Sequence, residues 1–331
     1  MLHFYRGRIM PVRGVALVSF LLVQVCLGQG RPQPLPIKGE FAAPQWSPDG
    51  QWIGLTTPKY QGIYIVKPDG SDLKQLTNED GAGFQPTWSA DSKQIAFRSR
   101  QVTEKGIVRA VKVAAVDGSA VQTVLESTGD IGRPSWAGAN QLRFTSDKQV
   151  TLAGLDGRIQ DRKGTSNADG LAGIPGTARQ LSADSSDDHR VVLIAENGEK
   201  KYLTDAGEGR FYGPAVSPKG DLALVHNLND GHIYVLDLGN GQKRDMGPGY
   251  AGQWSPDGKR IVCNTSEDDG HQITKADIVI IDVAGKTRTE ITRTADRCEM
   301  YPAWSPDGKK IAYGDQKTGV IFVQTVAGGV Q

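Results

Sequence analysis

The chain reads as an all-β protein: a seven-bladed β-propeller of four-stranded antiparallel blades, closed by a strand from its own N-terminus. Three observations predict this. The pentapeptide Trp-Ser-Pro-Asp-Gly stands at residues 46–50 and returns at 254–258 and 304–308. Weaker copies put further anchors at Trp88, Trp136, Ile174 and Val216, so that seven anchors span 258 residues in six steps, an average of 43, the period of one four-stranded blade. Finally, six of the seven repeats carry an apolar run that leads into a Gly-bearing turn, such as Asp69-Gly70, Asp117-Gly118, Asp156-Gly157 and Asn197-Gly198, the strongest short-range signal of a hairpin.

Within a repeat the strands follow from turn chemistry. Pro pre-sets φ near −65°, Asp bonds its own backbone, and Gly enters positive φ without steric cost. The pentapeptide therefore reverses the chain into a second strand, seen as Ile53-Gly54-Leu55, Ile261-Val262-Cys263 and Ile311-Ala312-Tyr313. The third strand is the clearest, as in Ile63-Tyr64-Ile65-Val66 and at residues 233–237 and 278–282. A fourth strand ends on Leu-Thr or Ile-Thr (Leu76-Thr77, Leu203-Thr204, Ile291-Thr292), about a dozen residues before the next anchor. The seventh repeat ends after three strands, and Leu35-Pro36-Ile37-Lys38 precedes Trp46 at a similar offset. Residues 35–38 are therefore expected to complete the last blade, removing an exposed sheet edge. The anchor Trp is read as packing between blades, and the repeated Asp as a turn residue, not a general acid.

The bulk properties bound the rest. A repeat array of 331 residues is one domain, and 41 Gly with 17 Pro suit short strands joined by turns. Arg6, Arg8 and Arg13 precede a 14-residue apolar run ending at Leu27, too short to span a bilayer, which reads as a secretory signal peptide over residues 1–28. Residues 29–34 then form a linker and 35–331 the propeller. The two residues before Cys26 are not small, so a lipid anchor there is not expected, and the exported protein reads as periplasmic or secreted and monomeric, without a membrane span. Loss of three Arg turns the net charge from +1 to about −2, which leaves no electrostatic footprint for nucleic acid. Cys263 and Cys298 read as unpaired thiols, with a bond between them left open.

The segment from Pro302 to Lys309, the Ile311-Ala312-Tyr313 strand after it, the third strand at residues 233–237 and the Leu76-Thr77 ending together resemble the WD-repeat-like propeller repeats of the TolB family. The resemblance covers about residues 35–326. It implies an exported propeller with a role in the cell envelope or in transport, and a protein or peptide as partner. The repeats are also similar to the propellers of prolyl-oligopeptidase-type peptidases and to oligogalacturonate lyases. About a dozen residues separate the signal from the first blade, so the α/β domain of the TolB family is not expected here. Neither is peptidase activity, since the sequence holds no Gly-x-Ser-x-Gly elbow and stops at Gln331. The lyase resemblance implies a metal held by several His. His189, His226, His232 and His271 do not show a converging spacing, and Glu267-Asp268-Asp269 reads as a solvated turn. No metal, cofactor or catalytic group is expected; the alternative is a carbohydrate-active enzyme, a polysaccharide lyase.

The links that precede the anchors surround the central channel of a propeller. They carry Phe41, Phe84, Arg133, Phe211, Tyr212, Tyr250, Arg297, Glu299 and Tyr301. Aromatic and Arg side chains dominate the energetics of protein interfaces. The expected partner-binding residues are therefore Phe84, Arg133, Tyr212, Tyr250, Arg297, Glu299 and Tyr301.

Overall fold

Each Trp-Ser-Pro-Asp-Gly copy builds the same reversal. In the first, the Ser47 hydroxyl donates to Asp49 Oδ1 at 2.6 Å, the Gln51 and Trp52 N–H groups donate to Asp49 Oδ1 and Ser47 Oγ at 3.0 and 2.9 Å, and Gly50 sits at φ 70°. Ser255/Asp257 and Ser305/Asp307 repeat the pattern. In the degenerate copy Ser92 takes the left-handed place of the glycine, at φ 60°. There the Ser89 hydroxyl and the Lys93 N–H hold the Asp91 carboxyl below its usual range. Every repeated Asp is thus occupied within its own turn.

A computed structural model of the chain describes residues 30–104, 106–163, 171–184 and 189–327. The expected signal peptide, with Cys26, lies outside the described residues. The strands form seven four-stranded antiparallel sheets, and the molecule is a seven-bladed β-propeller. Blade 1 is Ala42–Trp46, Ile53–Thr56, Ile63–Val66 and Lys74–Thr77. Blade 5 is Phe211–Val216, Leu222–Asn227, His232–Asp237 and Lys243–Pro248, and blade 6 is Tyr250–Trp254, Arg260–Asp268, Ile273–Asp282 and Arg288–Glu290. First strands of successive blades touch one another from blade 2 through blade 7 and on to blade 1, so they line the axis.

The core is divided among the seams. Seven apolar clusters each join two neighbouring blades, for example Leu224, Ile233 and Val235 with Trp254, Ile261 and Val279 between blades 5 and 6. Two of the anchor indoles also bond across these seams. Trp136 Nε1 donates to the Thr87 carbonyl of the preceding blade at 3.1 Å, and Trp254 Nε1 to the Ala215 carbonyl at 2.9 Å. Burial of such a ring contributes about 3 kcal/mol.

The ring closes through the N-terminus, two residues earlier in the chain than expected. Gln33–Pro34, not residues 35–38, pairs with the last strand of the chain, Ile321–Thr325, in the register Gln33↔Val323 and Pro34↔Phe322. What the sequence placed as linker is therefore partly strand. The reason lies in the Leu-Thr ending itself. In blades 4 and 6 the fourth strand stops at Tyr202 and Glu290. Leu203 and Ile291 then give one last N–H bond to the third strand, to the Val191 and Ile278 carbonyls, both at 2.8 Å, and turn into the seam. Leu35 does the same, donating to Ile321 O at 2.8 Å and packing with Ile53, Leu55 and Val323. Pro36, with no N–H, cannot continue the ladder.

The topology gives the ring two unlike ends. The pentapeptide turns and the hairpins between third and fourth strands lie at one end, the turn end. The links before each first strand and the loops between second and third strands lie at the other, the link end. Cys263 and Cys298 are both free and buried, and burial pushes the Cys263 thiol up to about 11.

Candidate functional site

At the link end the first strands do not start cleanly. Registers shift between Ala42 and Gln45, Tyr212 and Ala215, Tyr250 and Gln253, and Met300 and Ala303. Three residues before the anchor the backbone crosses into positive φ at Ala43, Gln85, Gly213, Ala251 and Tyr301, with φ between 48° and 56°. Four of these are not glycine, and each such residue costs about 1 kcal/mol. Bulges of this kind re-aim neighbouring side chains and concentrate at functional sites.

Five of the expected residues end up in two bands around this mouth. In the first, Tyr301 and Tyr60 share a hydroxyl–hydroxyl bond of 3.1 Å across the seam of blades 7 and 1. The Tyr60 ring stands edge-on to Phe84 at 5.2 Å, and the Arg133 guanidinium lies 5.6 Å from the Phe84 centroid. Burial and the Tyr301 hydroxyl raise the Tyr60 phenol above its ordinary value, so it stays protonated. In the second band His189 lies 4.4 Å from the Tyr212 ring, whose hydroxyl accepts from Arg210 at 3.2 Å. His226 is the cross-strand partner of Tyr212, and its ring meets Tyr250 at 4.4 Å in a T-shape. Burial drives His226 down to about 4, so the imidazole is neutral at physiological pH.

Three residues of the links are buried beneath the mouth. Glu299 is wholly buried. It accepts from the Thr294 hydroxyl at 3.1 Å, while its Oε1 has no hydrogen-bond partner and lies 3.8 Å from the Arg297 guanidinium; burial raises its carboxyl above the usual range. Arg297 lies over the Phe322 ring at 4.8 Å with its side chain 38% exposed. Phe41 and Phe211 are buried like Glu299, at 5% and 0% exposure. The physical reason is parity. Glu299 stands five residues before its anchor, the place of Phe41 and Phe211 in blades 1 and 5, and successive strand residues point to opposite faces. Glu299 is thus corrected from a partner contact to a support beneath the mouth, while Arg297, ahead of the strand, stays partly exposed beside it.

Sequence reading missed Tyr60, His189 and His226, which come from the loop and strand positions opposite the links. Their signal was register: Tyr212↔His226 and Tyr250↔Asn264 face one another across the first pair of strands. The other histidines lie apart from this cluster, His232 against Asp245 at 3.0 Å and His271 in the exposed loop of blade 6. Among the described residues no three His, Cys, Asp or Glu side chains gather as metal ligands, and no helix is long and apolar enough to cross a membrane.

Fold and mouth together define a β-propeller with an aromatic and cationic collar at one end. No family model matches the chain. Dipeptidyl-peptidase 5 of Porphyromonas gingivalis is 23% identical to it over 287 residues, which is 76% of this chain and 40% of that protein. The chain thus spans well under half the length of this relative.

Proposed function

We propose that this chain is an exported, non-catalytic propeller that binds a protein or peptide partner at its link-end mouth, in a TolB-like role in the cell envelope. The observation that carries the reading is the gathering of Phe84, Arg133, Tyr212, Tyr250 and Tyr301 into two bands at one end of the ring, on strained backbone. Rigid aromatic rings and Arg contribute most of the energy at partner interfaces. The name of the distant relative, a dipeptidyl-peptidase, adds support for a peptide as the ligand class.

The test is quantitative capture from an envelope extract on the immobilised protein. The triple variant Tyr212→Ala/Tyr250→Ala/Tyr301→Ala is expected to lose at least tenfold of the captured partner while keeping its β-sheet circular dichroism. Equal capture by a folded triple variant overturns the reading.

A further inference from the structure

We propose that the seam of blades 7 and 1 forms a side-chain pocket at the mouth, one that receives a neutral apolar side chain of leucine or phenylalanine size from a bound polypeptide. This deepens the reading of the mouth as a peptide-binding surface and rests on it. The pocket is an open cleft of about 400 Å³, solvent included, walled by Phe41, Ala42, Pro58, Tyr60, Met300 and Tyr301, with Gly314, Asp315 and Gln316 completing the lining.

Its origin is a missing side chain. In the blades whose register runs to the start of the first strand, the residue opposite on the second strand is Thr56 facing Ala42, His226 facing Tyr212 and Asn264 facing Tyr250. In blade 7 the residue facing Met300 is Gly314. Its backbone is not in the glycine-only region, and a Cβ built there would lie 3.8 Å from Ala42 Cα and 3.9 Å from Phe41 O, beside the pocket wall, with Ile321 Cδ1 at 3.3 Å. Conformation therefore does not require this glycine; a Cβ here would press on Ile321 and narrow the cleft beside Ala42.

The walls also define the guest. The tyrosine hydroxyls and the carboxylate in them are already engaged, and the remaining polar side chain, the neutral amide of Gln316, is exposed. The Tyr60 and Tyr301 hydroxyls bond each other. Asp315 accepts from the Cys298 and Lys317 N–H groups at 3.0 and 3.2 Å through Oδ1, and from the Thr318 hydroxyl at 2.7 Å through Oδ2. The walls hold no unpaired charged group to compensate a charged guest, and burying an uncompensated charge is far more costly than burying hydrocarbon. Carbon walls with satisfied polar groups select an uncharged apolar side chain.

The experiment follows backbone amide NMR shifts of the full protein during titration with N-acetyl-leucinamide, N-acetyl-phenylalaninamide and N-acetyl-aspartate amide. The first two are expected to shift the amides of Tyr60, Tyr301 and Gly314 in a saturable way, and the aspartate probe to need at least tenfold higher concentration. Gly314→Thr, which refills the pocket, and Ala42→Val, which narrows it from blade 1, should each weaken the apolar probes at least tenfold. Two variants on opposite walls keep the test decisive if one of them folds poorly. Absence of saturable shifts at these amides, unchanged affinity in a folded pocket variant, or equal affinity for the aspartate probe overturns the pocket. Capture on Gly314→Thr separates the two readings: if Tyr212→Ala/Tyr250→Ala loses the partner and Gly314→Thr keeps it in full, the mouth stands and the pocket falls.

Discussion

The two ends of the ring are made of the same strands and behave as different materials. At the turn end the same few hydrogen bonds recur from blade to blade, as in Ser47/Asp49, Ser89/Asp91, Ser255/Asp257 and Ser305/Asp307. The positive φ angles of these turns fall on Gly50, Gly258 and Gly308, with Ser92 as the exception. At the link end the backbone repeats but the side chains it carries differ from blade to blade. Four blades carry positive φ on a non-glycine residue three before the anchor, and buried polar atoms of His226, Asn264 and Glu299 lack hydrogen-bond partners, as do those of Trp46, Trp304 and Arg260 nearer the turn end. Repeated side-chain hydrogen bonds mark the end that holds the fold together, while varied side chains on strained backbone mark the end available for recognition.

The largest effect expected to sharpen this contrast concerns pH. A histidine held at about 4 in the folded state and near 6.5 in the unfolded one binds fewer protons when folded. Its contribution to stability is therefore complete above about pH 6.5 and disappears as the pH falls through 4. His226→Phe, which keeps a ring against Tyr250, should remove up to about 3 kcal/mol of the stability lost between pH 7 and pH 4. Urea unfolding of both proteins at several pH values checks this, and parallel curves would erase the link-end strain assigned to His226.

A turn-end substitution should cost less and leave recognition alone. Gly258→Val forces a β-branched residue into φ 69° and is expected to destabilise by about 2 kcal/mol. Partner capture per folded molecule should match wild type. Reduced capture would mean that the turn end also takes part in binding.

The smallest effect is expected at Glu299. Because its folded carboxyl is raised, the native state is penalised as the pH rises through that value, and the penalty is present at neutral pH. Glu299→Gln is therefore expected to gain about 1 kcal/mol at pH 7 and nothing near pH 4, read from thermal melts at both. Destabilisation at pH 7 would show that the ion pair with Arg297 outweighs burial.

The same contrast explains what could be read from the letters. The anchors, the Asx-Gly hairpins and the closing N-terminal segment were legible because turn chemistry fixes residue types, and Gly50 or Asp49 has few substitutes. The fourth-strand boundary was misplaced by two residues, since Leu35, like Leu203 and Ile291, makes its last ladder bond just beyond the strand. At the mouth the aromatic residues were legible by type. Their facing was not: Glu299 is wholly buried, while Tyr301 two residues on meets Tyr60 at the mouth because the strand bulges between Met300 and Ala303. Gly314 carried no signal in its own identity, because its meaning lies in what the matching strand positions hold in other blades.

The central claim is that partners meet the link end and not the turn end. Site-specific photo-crosslinking tests it most directly, with benzoylphenylalanine placed at Phe84 or Tyr250 on one end and at Trp52 or Lys259 on the other, followed by irradiation in envelope extract. The account predicts partner adducts from the link-end positions alone, at least tenfold above the turn-end ones. Adducts formed equally from both ends, or mainly from Trp52 and Lys259, would contradict it.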